Sequence, residues 1–195
     1  MSSPTPLRIP LLASLFLAFA FGVTGLALAV EALEKSDDEK AQVKAVAPSG
    51  TTVDVNFSDI LDAGIAVTVA CGITALLSLL SMLALLLPRL RTVPARLVAP
   101  LFFFCAVFLF ATLVPFDLFY STRSANVTAH IGAITVPPSV VQQIQEAAGL
   151  SNKYSDKLYL RVVAIVPWFA FLFAITSGVL MLLSQSRERR TAGKL

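Results

Sequence analysis

Three consecutive segments decide the fold: ILDAGIAVTVACGITALLSLLSMLALLL from Ile60 to Leu87, PRLRTVPAR from Pro88 to Arg96, and LVAPLFFFCAVFLFATLVPF from Leu97 to Phe116. Each apolar run reaches or exceeds the roughly 20 residues that cross about 30 Å of hydrocarbon at 1.5 Å per helical residue. The segment between them carries Arg89, Arg91 and Arg96 and no acid. Basic residues in short connections stay on the cytosolic side, so the two runs read as a helical hairpin whose turn faces the cytosol.

Working outward, Ile9 to Val30 and Val162 to Ser184 are two further runs of the same kind, which makes four spans. Both termini then lie in the cytosol, in agreement with Arg8 at one end and Arg187, Arg189, Arg190 and Lys194 at the other. The inner segments hold eight of the 15 Lys and Arg residues and one of the 12 Asp and Glu. The chain has 195 residues, 56% of them hydrophobic and 14% charged, and a mean hydropathy of +0.80. Soluble domains run at about 25% charged, so the apolar excess is assigned to lipid-facing surface. The expected fold class is an all-α membrane protein: one domain over 1–195, a four-transmembrane-helix bundle. Its spans lie at about 9–30, 60–87, 97–116 and 162–184, its outer loops at 31–59 and 117–161, its inner loop at 88–96 and its cytosolic tail at 185–195. A rival reading takes Ala27-Leu28-Ala29 as a signal-peptide cleavage site. The run from Leu11 to Val30 exceeds the roughly 7–15 residues of an h-region, and cleavage would leave the sidedness of every remaining loop unchanged.

In lipid, helices associate through small residues at four-residue spacing. Ser14, Ala18 and Gly22 mark such a face on the first span, Gly64, Thr68 and Gly72 on the second, and Ala170, Ala174 and Gly178 on the fourth; we expect all nine in helix packing. The third span is bulky instead, with Phe102, Phe103, Phe104, Phe108 and Phe110. Pro100, Pro115 and Pro167 fall near span ends, where a missing N–H costs little. Trp168, Tyr120, Tyr154 and Tyr159 fall near the outer interface, where amphipathic rings anchor a bundle. Cys71 and Cys105 sit inside spans as small apolar side chains, which leaves the outer loops without a disulfide.

No ionisable group is expected at membrane depth: Asp59 and Asp62 open the second helix as dipole partners, Asp117 closes the third and Arg161 starts the fourth. Pumps and proton relays need such groups. His130 is the single histidine, and the chain has no HExxH, phosphate-binding loop or GxSxG pattern. We therefore name no catalytic, cofactor-binding or metal-ligating residue, and expect no enzyme activity, no cofactor and no nucleic-acid partner.

The outer region is expected to be small. Val43-Lys44-Ala45-Val46 and Thr52-Val53-Asp54-Val55 alternate around Pro48-Ser49-Gly50 and read as a short β-hairpin. Ile131 to Val136 reads as extended, and Pro137-Pro138-Ser139 as the start of a short helix with Val140, Val141 and Ile144 on one face, ending at Gly149. The extended pieces of the two loops are candidates to pair with each other. Asn56-Phe57-Ser58 and Asn126-Val127-Thr128 are candidate glycosylation sequons, one in each outer loop and each close to a span end. On the inner side Arg89, Arg91, Arg96, Arg187, Arg189 and Arg190 form a collar expected to contact anionic lipid at roughly 1 kcal/mol each.

This layout of four spans, cytosolic termini, a short basic inner loop and two modest outer loops resembles the tetraspan class: MARVEL and claudin-like proteins, tetraspanins and fungal cortical four-span proteins. The chain departs from claudins in lacking a Trp and paired Cys in the first outer loop, and from tetraspanins in lacking a Cys-Cys-Gly motif in the second. The uncharged interior beside small-residue seams points to a non-enzymatic organiser, scaffold or accessory subunit, the sequons suit a secretory-pathway protein, and spans of 20 residues and more suit the plasma membrane. Its partners would be membrane lipids and other membrane proteins, or further copies of itself. A channel or transporter subunit is the alternative.

Overall fold

The structure is a computed structural model that describes residues 7–46, 51–56, 58–87, 95–124, 126–131, 134–137, 139, 143 and 154–192. Four helices dominate it: α1 (Arg8–Val46), α2 (Ser58–Leu86), α3 (Ala95–Thr122) and α4 (Leu158–Ala192). All four are long and apolar enough to cross a membrane, over Arg8–Asp38, Ser58–Leu86, Leu97–Thr122 and Leu158–Arg187. Only 33–39% of each spanning window is buried in the bundle. The outward remainder carries Phe16, Leu76, Phe104, Val107 and Leu172, each more than half exposed. An apolar surface of that extent suits hydrocarbon rather than water.

The helices form a ring in which α1 packs on α2 and α4, and α3 packs on α2 and α4. At one end of the bundle lie the first residues of α1 and α3 and the last of α2 and α4. At the opposite end a three-stranded antiparallel sheet in the order β1-β2-β3 joins the connections. β1 (Thr51–Asn56) pairs along its whole length with β2 (Asn126–Ile131), from Thr51 opposite Ile131 to Asn56 opposite Asn126, and β3 (Ile134–Thr135) continues the sheet beyond β2. A 3₁₀ turn, Tyr154–Asp156, leads into α4.

Several expectations are corrected. Val43–Val46 is not the first arm of a hairpin but the last turn of α1, which at 39 residues is about 58 Å long. The stretch from Glu31 onward keeps helical spacing and gains an i,i+4 ion pair between Lys35 Nζ and Glu31 Oε1 at 2.6 Å, so alternation over four residues does not overcome the helix. The strand partner of Thr51–Asn56 is supplied by the other connection. The short helix after Pro138 lies largely outside the described residues. Asp117 does not close α3: the helix runs about one and a half turns further, to Thr122. Within the bundle the carboxylate has a partner, since Trp168 Nε1–H donates to Asp117 Oδ2 at 2.9 Å.

The register can be tested directly. Val53 is the register partner of Ala129, and directly opposite residues of an antiparallel pair have Cβ atoms about 4.5–5.5 Å apart. Cysteines introduced at both positions should form an intramolecular disulfide, read as protection from alkylation under non-reducing conditions. Cysteines at Val53 and Thr128 should not, because a shift of one residue turns the side chain to the other face.

Candidate functional site

Two features meet at the sheet end of the bundle, a polar clasp and an apolar cavity. The clasp centres on Asp59 in the first turn of α2. Its Oδ1 accepts from the Ile60 N–H at 3.0 Å and from the Tyr154 hydroxyl at 3.1 Å, and its Oδ2 accepts from Arg123 Nη1 at 3.0 Å. Arg123 follows α3, and its guanidinium also covers the Phe119 ring at 4.3 Å. Asp59 is thus the expected helix-dipole partner and, beyond that, the tie between the start of α2, the end of α3 and the turn before α4. Tyr154 is buried in the main core cluster. Burial, reinforced by the neighbouring Asp59 carboxylate, pushes its hydroxyl well above the usual tyrosine range, so it remains a donor throughout the physiological pH range.

Beneath the clasp lies a cavity of about 140 Å³ lined by α1, α2, α4, the 3₁₀ turn and Phe116 of α3. Its floor is Ala32, Ile60, Phe116, Leu160 and Val163, all at most 8% exposed. Its mouth is edged by Val30 and Leu33 of α1 and Ile65 and Val69 of α2, which are exposed on the flank of the bundle. Ser36, Lys157 and Tyr159 line it as well, and the Lys35 ammonium stands 5.9 Å over the Tyr159 ring, joining the far part of α1 to the start of α4.

The nine small residues singled out from the sequence have different surroundings. Ser14 Oγ shares a hydrogen with Ser177 Oγ at 2.8 Å between α1 and α4, and Ala18, Ala170 and Ala174 are fully buried. A Cβ on Gly22 would meet Ala75 Cβ at 3.0 Å and the Cys71 carbonyl oxygen at 3.1 Å, while one on Gly178 would meet Phe103 at 3.3 Å. A Cβ on Gly72 would lie 3.2 Å from Leu26 Cδ1. Gly64 and Thr68 line the cavity. Gly25 escaped the four-residue spacing, being three residues from Gly22, yet a Cβ there would lie 3.0 Å from Cys71 Sγ and 3.5 Å from the buried ring of Pro167.

The remaining sites are placed as follows. Asn56 and Asn126 are the last register pair of the β1–β2 ladder on the side of the helices. Arg89 and Arg91 lie outside the described residues, Arg96 is in the first turn of α3, and Arg187, Arg189 and Arg190 are in the last turns of α4, with Arg187 exposed. Cys71 and Cys105 are both buried and free. Asp117 Oδ1, the oxygen that Trp168 does not reach, is buried with no hydrogen-bond partner among the described residues. Comparison with protein-family models, curated proteins and solved structures gives no match to the chain, and the tetraspan resemblance rests on layout alone.

Proposed function

We propose that the chain is a non-enzymatic four-span membrane protein that organises or accompanies other membrane components through its bundle flank and outer loops. Its termini are cytosolic, and its destination is the plasma membrane by the secretory pathway. The observation that carries this reading is the pinning of the two outer connections into one platform, by the six-residue β1–β2 ladder above and the Asp59 clasp below. A platform with its backbone paired and its base tied to three helices presents a fixed surface at little ordering cost on binding. The buried polar side chains support a packing role: Thr74 Oγ1 donates to the Ala70 carbonyl at 2.8 Å, Ser78 Oγ to Thr74 at 2.7 Å and Thr112 Oγ1 to Phe108 at 3.0 Å, each closed within its own helix.

The channel or transporter reading has one observation in its favour, the half-partnered Asp117 carboxylate within α3. One experiment separates the two. Crosslinking in native membranes followed by extraction in mild detergent should recover a specific multispan partner, and purified protein in liposomes should pass no ions. Flux that disappears in Asp117→Asn, from protein that co-purifies with nothing, would reverse the assignment.

A further inference from the structure

We propose that the cavity between α1 and α2 is a binding site for one acyl chain of a membrane phospholipid, with the lipid phosphate held at the Lys157 end. The inference rests on the four-span membrane reading but not on the organiser role.

The two helices are in close contact where Gly22 meets Ala75 and Cys71 and where Gly72 meets Leu26. Nearer the sheet the space between them is not filled by side chains. Gly64 has none, and Thr68 directs its hydroxyl to the Gly64 carbonyl at 2.8 Å, which satisfies its polar atom against its own helix. A Cβ on Gly64 would meet only Phe116 Cε2, at 3.6 Å. The resulting space of about 140 Å³ has room for about five waters. The side chains of its floor offer water no hydrogen bonds, so water is a poor occupant, and an empty apolar space in a close-packed bundle forfeits the dispersion contacts of its walls.

An acyl chain supplies those contacts. The mouth is edged by Val30, Leu33, Ile65 and Val69, whose exposed side chains lie on the lipid-facing flank, so a chain enters sideways from the leaflet without crossing a polar surface. Ser36, Lys157 and Tyr159 border the cavity toward the sheet end. Lys157 carries there the positive charge that pairs with the phosphodiester at the head of a chain lying along the cavity. A sterol would bring only a neutral hydroxyl to the same place and leave the charge complementarity unused.

The test uses the full-length protein in phosphatidylcholine nanodiscs containing a trace of phosphatidylcholine with a mid-chain diazirine. After irradiation, labelled residues are mapped by mass spectrometry. Adducts should concentrate on Leu33, Ile65 and Val69 relative to Leu76 and Leu80, which are comparably exposed on α2 but outside the cavity. Gly64→Leu fills the space without meeting backbone, and should lower cavity labelling about tenfold while leaving labelling at Leu76 and the melting temperature unchanged. Thr68→Phe, which fills it from the next turn, should do the same. Lys157→Gln should shift the midpoint of labelling to higher probe concentration. Even labelling of cavity and flank, unchanged by both filling variants, would overturn the site. Preferential capture of a photoreactive sterol in place of the phospholipid probe would overturn the choice of ligand. Absence of labelling at Leu76 and Leu80 as well would instead refute the membrane reading.

Discussion

Gly22→Leu is expected to lower the stability of the bundle more than any other single glycine replacement, with a loss of midpoint temperature plain in detergent melts. A Cβ at Gly22 already reaches 3.0 Å from Ala75 Cβ, 3.2 Å from Ala75 Cα and 3.1 Å from the Cys71 carbonyl oxygen. Two of those three atoms belong to the backbone of α2, which cannot rotate away as a side-chain tip does. The helices must separate, and every contact along the seam is stretched with them. Overpacking of a close-packed interior typically costs 1–3 kcal/mol and more where backbone has to move, so about 3 kcal/mol is the expected scale. Alanine variants provide a graded series. Gly22→Ala should be worst, and Gly178→Ala intermediate, because the Phe103 ring at 3.3 Å can tilt by a few tenths of an ångström. Gly72→Ala should be milder, because Leu26 Cδ1 is the end of a flexible side chain, and Gly64→Ala close to neutral, with its nearest atom at 3.6 Å. Equal losses across the four, measured by thermal unfolding in one detergent, would contradict this account of the seam.

That series also shows what the amino-acid sequence conveys and what it withholds. The four spans are legible because the signal is local and additive: some twenty apolar residues in a row have one stable environment. The residues of the seams are legible as small side chains at repeating intervals. Their surroundings are not, since nothing in Gly64-x-x-x-Thr68-x-x-x-Gly72 distinguishes the glycine that opens onto a cavity from the glycine that meets Leu26. Gly25 falls outside the four-residue pattern because its spacing from Gly22 is three, although spacings of three and four both lie on one helical face. Asp117 reads as the end of the third helix because a carboxylate in an apolar run looks like a boundary, yet α3 continues to Thr122. The partner it finds there, Trp168, is on another helix at a sequence separation of 51 residues, where no periodicity reaches. The strand partner is hidden from the sequence for the same reason. Thr51–Asn56 alternates as a strand does, but the choice of partner depends on the bundle bringing Asn126–Ile131 beside it.

Loss of the Asp59 carboxylate is the second large effect expected, confined to the sheet end. In Asp59→Ala the Tyr154 hydroxyl, in a residue only 1% exposed, loses its acceptor, Arg123 loses its ion-pair partner, and the Ile60 N–H loses its side-chain acceptor. Losing one partner of a buried hydrogen bond costs about 1–3 kcal/mol. Arg123 adds less, because its side chain is 52% exposed and water replaces part of what is lost. The consequence should appear where the clasp holds the connections together. Amide exchange in Thr51–Asn56 and Asn126–Ile131 should accelerate roughly ten- to hundredfold, the ratio that about 1.4–2.8 kcal/mol of local stability represents, while the middle of α2 and α3 stays protected. Two further variants make the attribution specific. Tyr154→Phe removes the donor together with its need for an acceptor and leaves Asp59 bound to Arg123 and Ile60, so it should accelerate exchange far less than Asp59→Ala. Arg123→Ala should fall between them. If Arg123→Ala matched Asp59→Ala and Tyr154→Phe had no effect at all, the surface ion pair would be what holds the sheet to the bundle. If all three variants left the two strands as protected as in the wild type, the ladder would be self-supporting and the clasp only a helix cap.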